Sequence, residues 1–486
     1  MTRHARNFAF LIPVALLSVS AVAAACTIGV FGAGSTADGR PVLWKNRDVD
    51  NQNQELRFWN LGPYRFVSNA YADDTLNAWA GINEVGFGIM NSNAYNLGPK
   101  LEPKDPDDGN IMSFALANCA TLADFEKVLD STNFVGRETP ANYGVLDSTG
   151  AAAIYEASNT WYIRCDASAD SLGYTLRANY SFSGDTVRLR GHNRFRRAFE
   201  VCSTRHAAGP IDIRFVVGTL ARDMGQPGFN PYPLPFTGTY GSLPIGYLPT
   251  DTTVCRLKTR SVEIVVGQRP GAGPGTGMVW YLPGSPLTSI PIPAWVASDS
   301  VPALLNGRDR AVLCDEAIRL RDYLLSYLGN ATAVNTRTLS IVLDYFAPVE
   351  STVFRMVDSC EAVWADAGPD PLQAWEVTNR CCSLALDAYR GVWDRLLWER
   401  LARYSIPGPE SLPTVVRGPG RLPVPTGFPS GRTGVFDASG RRVAELVVAP
   451  GQGAFDWPPL PLASGNYFLL GQDDRGARLM RLAYVR

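Results

Sequence analysis

The chain has 486 residues, with 45 Lys and Arg against 46 Asp and Glu and a formal net charge of −1. That balance gives no chain-wide pull toward nucleic acid or an anionic membrane, and 46% hydrophobic with 19% charged residues describes a folded core rather than a disordered tail. Three histidines are present, His4, His192 and His206, which excludes a multi-histidine zinc site and an H-E-x-x-H helix. No G-x-S-x-G elbow and no phosphate-binding G-x-x-x-x-G-K loop occurs either, so a general base other than imidazole is expected, with no metal and no cofactor.

Residues 1–25 read as a secretory signal: Arg3 and Arg6 lead an uncharged run over 8–23 that ends in Ala23-Ala24-Ala25, the small residues that a signal peptidase requires. Cleavage after Ala25 would export the protein, making it secreted, periplasmic or held at the cell surface. No later stretch approaches the roughly 20 apolar residues of a membrane span. Nine cysteines follow, at 26, 119, 165, 202, 255, 314, 360, 381 and 382. Cys26 is the odd one, because cleavage would make it the first residue. The other eight have the number for up to four disulfides, with the adjacent Cys381 and Cys382 either facing different partners or serving as small buried residues.

In chain order, short apolar or alternating runs predict strands at 27–32, 41–45, 57–59, 65–68, 78–82 and 86–90. More are predicted at 142–146, 152–156, 161–165 and 174–178, punctuated by Gly, Asn and Asp. Helical spacing predicts one helix over 113–129 and a basic amphipathic one over 188–202. Strands are expected at 261–266 and 278–282. From about residue 305 the texture becomes helical, with long helices at 308–328 and 371–404, and with Trp375, Trp393 and Trp398 as packing residues. Residues 405–431 hold seven prolines and five glycines, the composition of a semi-rigid linker. A β-like block over 432–486 follows, with strands at 433–437, 442–449, 454–457, 466–472 and 477–485. At about 55 residues it is small for independent stability and is expected to lean on the main domain over 26–404. Strands first and helices later make this an α+β chain.

The chemistry centres on Cys26. An N-terminal cysteine carries a free α-amine beside its own thiol, and that amine, with an ordinary pKa of roughly 7.7–8.0, can take the thiol proton near neutral pH. Nucleophile and base then come from one residue. The competing reading is a lipoprotein anchor at Cys26, a non-catalytic surface or binding protein. Such sites usually carry Leu at the third position before the cysteine, which here is Ala23.

Four blocks carry a resemblance. Cys26-Thr27 is followed by Asp38-Gly39-Arg40-Pro41-Val42-Leu43-Trp44-Lys45-Asn46-Arg47-Asp48. The second is Gly81-Ile82-Asn83-Glu84-Val85-Gly86 running to Asn93, the third is Arg177-Ala178-Asn179-Tyr180-Ser181, and the fourth is Asn193-Arg194-Phe195-Arg196-Arg197-Ala198-Phe199. Together, over residues 26 to about 200, they resemble the N-terminal-nucleophile hydrolases of linear amides. That group comprises choloylglycine hydrolase and penicillin V acylase, the acyl-CoA:6-aminopenicillanic acid acyltransferases and the secernin-like dipeptidases.

The resemblance implies a four-layer αββα sandwich and cleavage of a linear amide, in a small molecule or short peptide, through a cysteine thioester. Acyl transfer to another amine is the close alternative. It also implies the roles: Cys26 as nucleophile, Asp48 holding its amine, and Asn93 as oxyanion donor. Asn179 would orient the amine or the substrate carbonyl, and Arg197 would favour the thiolate. Lys45 stands where bile-salt-type members carry arginine, keeping the charge without the planar fork. Asn46 and Arg47 join it as substrate-binding or charge-supporting residues, with Arg47 the alternative to Lys45 in that arginine's role. The tail, with Val435 to Val443 and then Pro461 to Phe468, resembles FlgD-like immunoglobulin-type modules and type IX secretion sorting domains. That implies secretion machinery as a partner.

Overall fold

The computed structural model describes residues 25–485 apart from 102–106, 270–272, 308–310, 329–330, 405–413, 418–420, 424–427, 438–441, 453, 457–464 and 474–475. The expected signal up to residue 24, most of the expected linker and the tail turns near 438–440 and 474–475 lie outside the described residues.

In chain order the elements are β1 (Thr27–Phe31), β2 (Val42–Asp48), β3 (Gln54–Trp59), β4 (Phe66–Tyr71), β5 (Ala80–Asn83) and β6 (Gly88–Asn93). Two helices follow, α1 (Asp108–Asn118) and α2 (Leu122–Val135). Next are β7 (Ala141–Leu146), β8 (Ala152–Ala157), β9 (Tyr162–Asp166), β10 (Tyr174–Arg177), α3 (His192–Ala208), a short α4 (Ile213–Phe215) and β11 (Tyr247–Pro249). The second half holds β12 (Thr259–Val266), β13 (Met278–Pro283), β14 (Ile292–Trp295), α5 (Val312–Leu324), β15 (Leu325–Leu328), β16 (Ala331–Asn335), α6 (Thr336–Ala367) and α7 (Pro371–Tyr404).

Two antiparallel sheets lie face to face. The first has the order β10-β1-β2-β12-β13-β14, and the second is a seven-stranded meander from β3 to β9. The residues of β2 and β12 are buried along their whole length, because each sheet is covered on both faces. The sheets approach closely: a Cβ at Gly88 would sit 2.8 Å from the Val265 side chain. Helices α1 and α2 cover the outer face of the second sheet, where Phe125 meets Tyr143 and Tyr155 edge-on at 5.6 and 5.3 Å. On the outer face of the first sheet, α6 sets Phe354 against Trp280 at 5.0 Å and Trp364 against Trp295 at 5.2 Å. The layers are αββα, as expected.

Several expectations need correction. The single helix expected over 113–129 is two, because Thr121 caps α2 in a reciprocal box with Asp124 while Cys119 is extended; that box stops one helix and starts the next. The helix expected over 308–328 ends at Leu324 and gives way to β15. Helix α6 has no counterpart in the sequence reading. Its Pro348 lies inside 32 helical residues, a residue that reads as a break until packing against β13 and β14 overrides it. The disulfide reading also fails, since all nine cysteines are unpaired thiols. Cys202, Cys255, Cys314, Cys381 and Cys382 are buried and pack as small apolar residues.

The tail strands β17 (Thr414–Arg417), β18 (Arg421–Pro423), β19 (Gly431–Asp437), β20 (Arg442–Val448), β21 (Ala454–Asp456), β22 (Gly465–Asp473) and β23 (Gly476–Val485) form a five-stranded sheet and a two-stranded ladder. The tail rests on α7: Trp398 lies 4.6 Å from Phe468 and 6.0 Å from Phe436, with Arg442 3.5 Å from Asp394. Among the described residues no helix is long and apolar enough to cross a membrane.

One ion pair ties the outer helix layer to the first hairpin. Arg40, 4% exposed, grips Glu361 of α6 with two bonds of 2.8 and 3.0 Å. Glu361 also accepts from Arg269 at 3.0 Å. Glu361→Ala leaves the buried Arg40 with Asp38 as its one remaining acid, at 2.6 Å, and is expected to lower the unfolding free energy in urea by about 2 kcal/mol, more than the Arg40→Met/Glu361→Ala double variant.

Candidate functional site

Cys26 immediately precedes β1 and is 4% exposed. The hairpin register pairs Thr27 with Asn46 and Ile28 with Lys45, and the Ala25 N–H donates to the Asp48 carbonyl at 3.0 Å. Cys26 therefore stands opposite Arg47. Alternation along β2 sends Asn46 and Asp48 toward the α3 layer, and Lys45 and Arg47 toward the second sheet.

Asp48 is 1% exposed. Its Oδ1 accepts from the Thr259 hydroxyl at 2.7 Å, and its Oδ2 lies 3.3 Å from Arg256 Nη1 and 3.6 Å from Arg194 Nη1. Burial pushes its carboxyl up from the ordinary value, against the pull of Arg194, Arg256 and the Thr259 hydroxyl. Thr259 reaches it because β12 is irregular here: Thr259 faces Asp48 while Ser261 faces Arg47. An extra residue of this kind turns successive side chains to different faces.

Arg194, in the first turn of α3, joins these elements. Nη1 donates to the Cys26 carbonyl and the Thr27 hydroxyl, each at 2.7 Å, and to the Ala25 carbonyl at 3.3 Å; Nη2 donates to Asn179 Oδ1 at 2.5 Å. Burial pulls the guanidinium below its ordinary value, opposed by Asp48 and Cys26. Gly191 makes room for it. That residue precedes α3 at φ +79°, and a Cβ there would lie 2.4 Å from Arg194 Nη2.

The structure brings Cys26, Asp48, Asn179, Lys45 and Arg47 to one end of the sandwich, and Asn93 to the same place from the end of β6. Asn179 Nδ2 donates to the Asn93 carbonyl at 3.1 Å. With its oxygen on Arg194, Asn179 spends both ends of its amide on Asn93 and Arg194 and acts through them, where the expectation had it orienting the amine or the substrate. The Asn93 side chain is half-buried and makes no hydrogen bond among the described residues, so its amide N–H is available as a donor.

Two expected residues lie elsewhere. Arg197, one helical turn beyond Arg194, is spent on a fork-to-fork pair with Asp223 at 2.9 and 2.8 Å. The arginine of the fourth motif that reaches Cys26, at its carbonyl, is its first, Arg194. Asn46 donates to the Ala221 and Val254 carbonyls at 2.9 and 3.1 Å and accepts from Trp44 Nε1 at 3.0 Å. It ties β2 to the outer layer, fully buried and with both amide hydrogens spent on backbone carbonyls.

Lys45 is completely buried. Its Nζ donates to the Trp79 carbonyl at 2.7 Å and Asn91 Oδ1 at 2.6 Å, and Asn91 Nδ2 passes the chain to Asp108 Oδ2 at 2.7 Å. Burial lowers the Lys45 ammonium to about 8, with the nearby Cys26 sulfur opposing. Burial raises Asp108 to about 6. Tyr95, whose N–H donates to the Asn179 carbonyl at 3.1 Å, also feels Cys26. Burial and that sulfur push its phenol up, so it remains a protonated donor. Asn91, Asp108, Tyr95, Arg256 and Thr259 were missed in the sequence; apart from Asn91, two residues before the end of the second block, none belongs to a recognisable motif, and only the fold collects them.

No protein-family model matches the chain, and no curated protein matches it. Among solved structures it is similar to a variant of the conjugated bile acid hydrolase of Clostridium perfringens, at 15% identity and TM-score 0.34 over 53% of this chain and 89% of that one. It is also similar to penicillin V acylase of Agrobacterium tumefaciens, at 18% and 0.35 over 56% and 85%. A third is the N-acylethanolamine-hydrolyzing acid amidase ortholog of Caenorhabditis elegans, at 12% and 0.34 over 50% and 92%. Likeness at this level assigns no residue a role.

The geometry at Cys26 makes two predictions. Arg194→Met is expected to lower kcat/KM on a cleaved amide by about 10²-fold or more, and Arg197→Met by less than about threefold, measured side by side. Lys45 loses its charge as pH rises through about 8, so cationic support for a thiolate is present below that pH and fades above it. Lys45→Arg, which stays protonated, is expected to move the alkaline limb of the kcat/KM profile upward by about one unit or more.

Proposed function

We propose that this chain is an exported cysteine amidohydrolase that cleaves a linear amide C–N bond through a thioester on Cys26. The observation that carries the reading is the junction at Cys26: Arg194 holds its carbonyl at 2.7 Å, buried Asp48 lies 3.6 Å from the same guanidinium, and Lys45 and Tyr95 both feel the sulfur. Loss of the residues through Ala25 would free the Cys26 amine beside Asp48. That amine takes the thiol proton and the sulfur adds to the amide carbon, while the Asn93 amide donates to the oxyanion. The C–N bond then breaks and the amine departs with the proton from the α-ammonium. Water adds to the thioester, the acid leaves, and the sulfur regains its proton.

Burial of Cys26 at 4% favours this reading over a lipid anchor, because a diacylglyceryl group on that sulfur would have to occupy the packed end of the sandwich. Residues 432–486 are read as the module that directs export. Intact mass and N-terminal sequencing of the exported protein are expected to give a free Cys26; a lipid-modified or internal Cys26 overturns the mechanism. Cys26→Ala is expected to abolish amide cleavage with an unchanged melting temperature. The wild-type acyl-enzyme is expected to be released by hydroxylamine, as a thioester is. Faster release by an added amine than by water would reassign the chemistry to acyl transfer.

A further inference from the structure

Asp108 is a buried acid that the catalytic steps leave without a task. It is the first residue of α1, and its Oδ2 accepts from Asn91 Nδ2 at 2.7 Å, while Asn91 Oδ1 accepts from Lys45 Nζ at 2.6 Å. All three residues are buried. Asn91 lies on the helix side of β6: Ile89, two residues before it, packs under α1 and α2, whereas Met90 packs between the sheets, and residues two apart share a face. Lys45 starts from β2 in the other sheet and reaches Asn91 past the Trp79 carbonyl, just ahead of β5. Its ammonium is therefore fastened from the α1 layer, as the Cys26 carbonyl is fastened by Arg194 from the α3 layer. The N-terminus of α1 does not need Asp108 as its cap, because Asp107 fills that role by accepting from the Asn110 N–H at 2.8 Å.

These three residue types admit one polarity. An ammonium only donates, an ionised carboxylate only accepts, and an amide has one end of each kind. With Asp108 ionised, Asn91 turns its NH2 to α1 and its oxygen to Lys45. With that carboxylate gone, the amide is free to turn the other way and set a donor against a donor. The charged neighbours agree with this direction. Around Lys45 stand Cys26, Arg47, Glu263 and Asp108; burial lowers the ammonium, Arg47 adds to that, and the sulfur and both acids oppose it. Glu263 does not hydrogen-bond to Lys45, so Asp108 is the acid with a bonded route to it. Around Asp108 stand Asp107, Lys45 and Lys100, with Tyr95 and Tyr143 also within its field and Glu138 paired to Lys100 at 2.8 Å. Burial and Asp107 raise the Asp108 carboxyl, and Lys45 and Lys100 lower it.

We propose that Asp108 is a positioning residue of the site: acting through Asn91, it holds the Lys45 ammonium beside Cys26 and keeps it charged, so that α1 governs the cationic support of the nucleophile. The use made of that charge rests on the amidohydrolase reading; the linkage from Asp108 to Lys45 does not.

The chain has five lysines, so Lys45 can be followed by NMR in protein carrying a carbon-13 label at lysine Cε, with Lys45→Arg assigning its signal. Asp108→Asn is expected to move the Lys45 midpoint down by about half a unit or more, the direction in which losing a nearby carboxylate acts on an ammonium, and Asn91→Leu to do the same. The swap Asn91→Asp/Asp108→Asn keeps an acceptor on Lys45 and a donor behind it. It is expected to return the midpoint to the wild-type value or above, a rescue that a purely structural acid would not show. On the processed protein, p-nitrophenyl acetate reports acylation of Cys26 whatever amide is the substrate. After subtraction of the Cys26→Ala rate, the alkaline limb of kcat/KM should follow the Lys45 midpoint down in Asp108→Asn, a loss of about threefold or more near pH 8.5. It should stay in place when Asp108→Asn is added to Lys45→Arg. Melting temperatures confirm that each variant is folded. A Lys45 midpoint unmoved by both Asp108→Asn and Asn91→Leu, or a kinetic limb that shifts equally in the Lys45→Arg background, overturns the proposal. Absence of Cys26-dependent acylation, with the Lys45 midpoint shifted as expected, overturns the amidohydrolase reading and leaves the linkage standing.

Discussion

The buried guanidinium of Arg194 is the interaction on which the site depends. It reaches the carbonyl of Cys26, the hydroxyl of Thr27, the amide of Asn179 and the carboxylate of Asp48, and so joins α3, β1, the end of β10 and β2 at one point. Removing a cation from water costs several kcal/mol; five oxygen partners, the Ala25 carbonyl among them and one of them charged, offset that here. Gly191 follows from the same requirement, because a side chain on the residue before α3 would collide with the guanidinium.

Strand β2 serves two different environments through its alternation. Asn46 and Asp48 look outward, the first fastening the strand to the outer layer and the second completing the site with Arg194, Arg256 and Thr259. Lys45 and Arg47 look inward, where the facing sheet supplies carbonyls and aromatic faces but no carboxylate in contact. The irregularity in β12 lets one neighbouring strand serve both sides, sending Thr259 to Asp48 and Ser261 to Arg47. A one-residue slip in this hairpin would exchange the two sets, so the register of β1, β2 and β12 matters to the chemistry as much as the identity of the residues.

Much of the sandwich was legible in the sequence because its strands are short, apolar and bounded by turn residues. The hairpin containing Cys26 and Asp48 announces itself through Asp38-Gly39. What was misread depends on contacts distant in sequence. Pro348 looks like a helix stop until β13 and β14 supply the packing that carries α6 past it. The sequence reading gave the role to Arg197, three residues from Arg194 in one arginine-rich turn; only Asp223, on a separate segment, distinguishes the two. Nine cysteines in a chain read as exported suggested disulfides, but their positions in the fold keep them as buried or partly buried thiols.

By itself the sequence determined most of the strands and the small set of polar residues from which a site had to be built, since local periodicity and turn chemistry act over a few residues; the four-layer type was implied by the resemblance alone. It also made imidazole an unlikely base by supplying almost none. Tertiary structure decided which arginine meets Cys26, which asparagine is spent on scaffolding, and that Arg47 and Glu263 share a buried face without bonding each other. Those choices depend on sheet register and on partners more than a hundred residues away, and no local pattern in the chain encodes such distances.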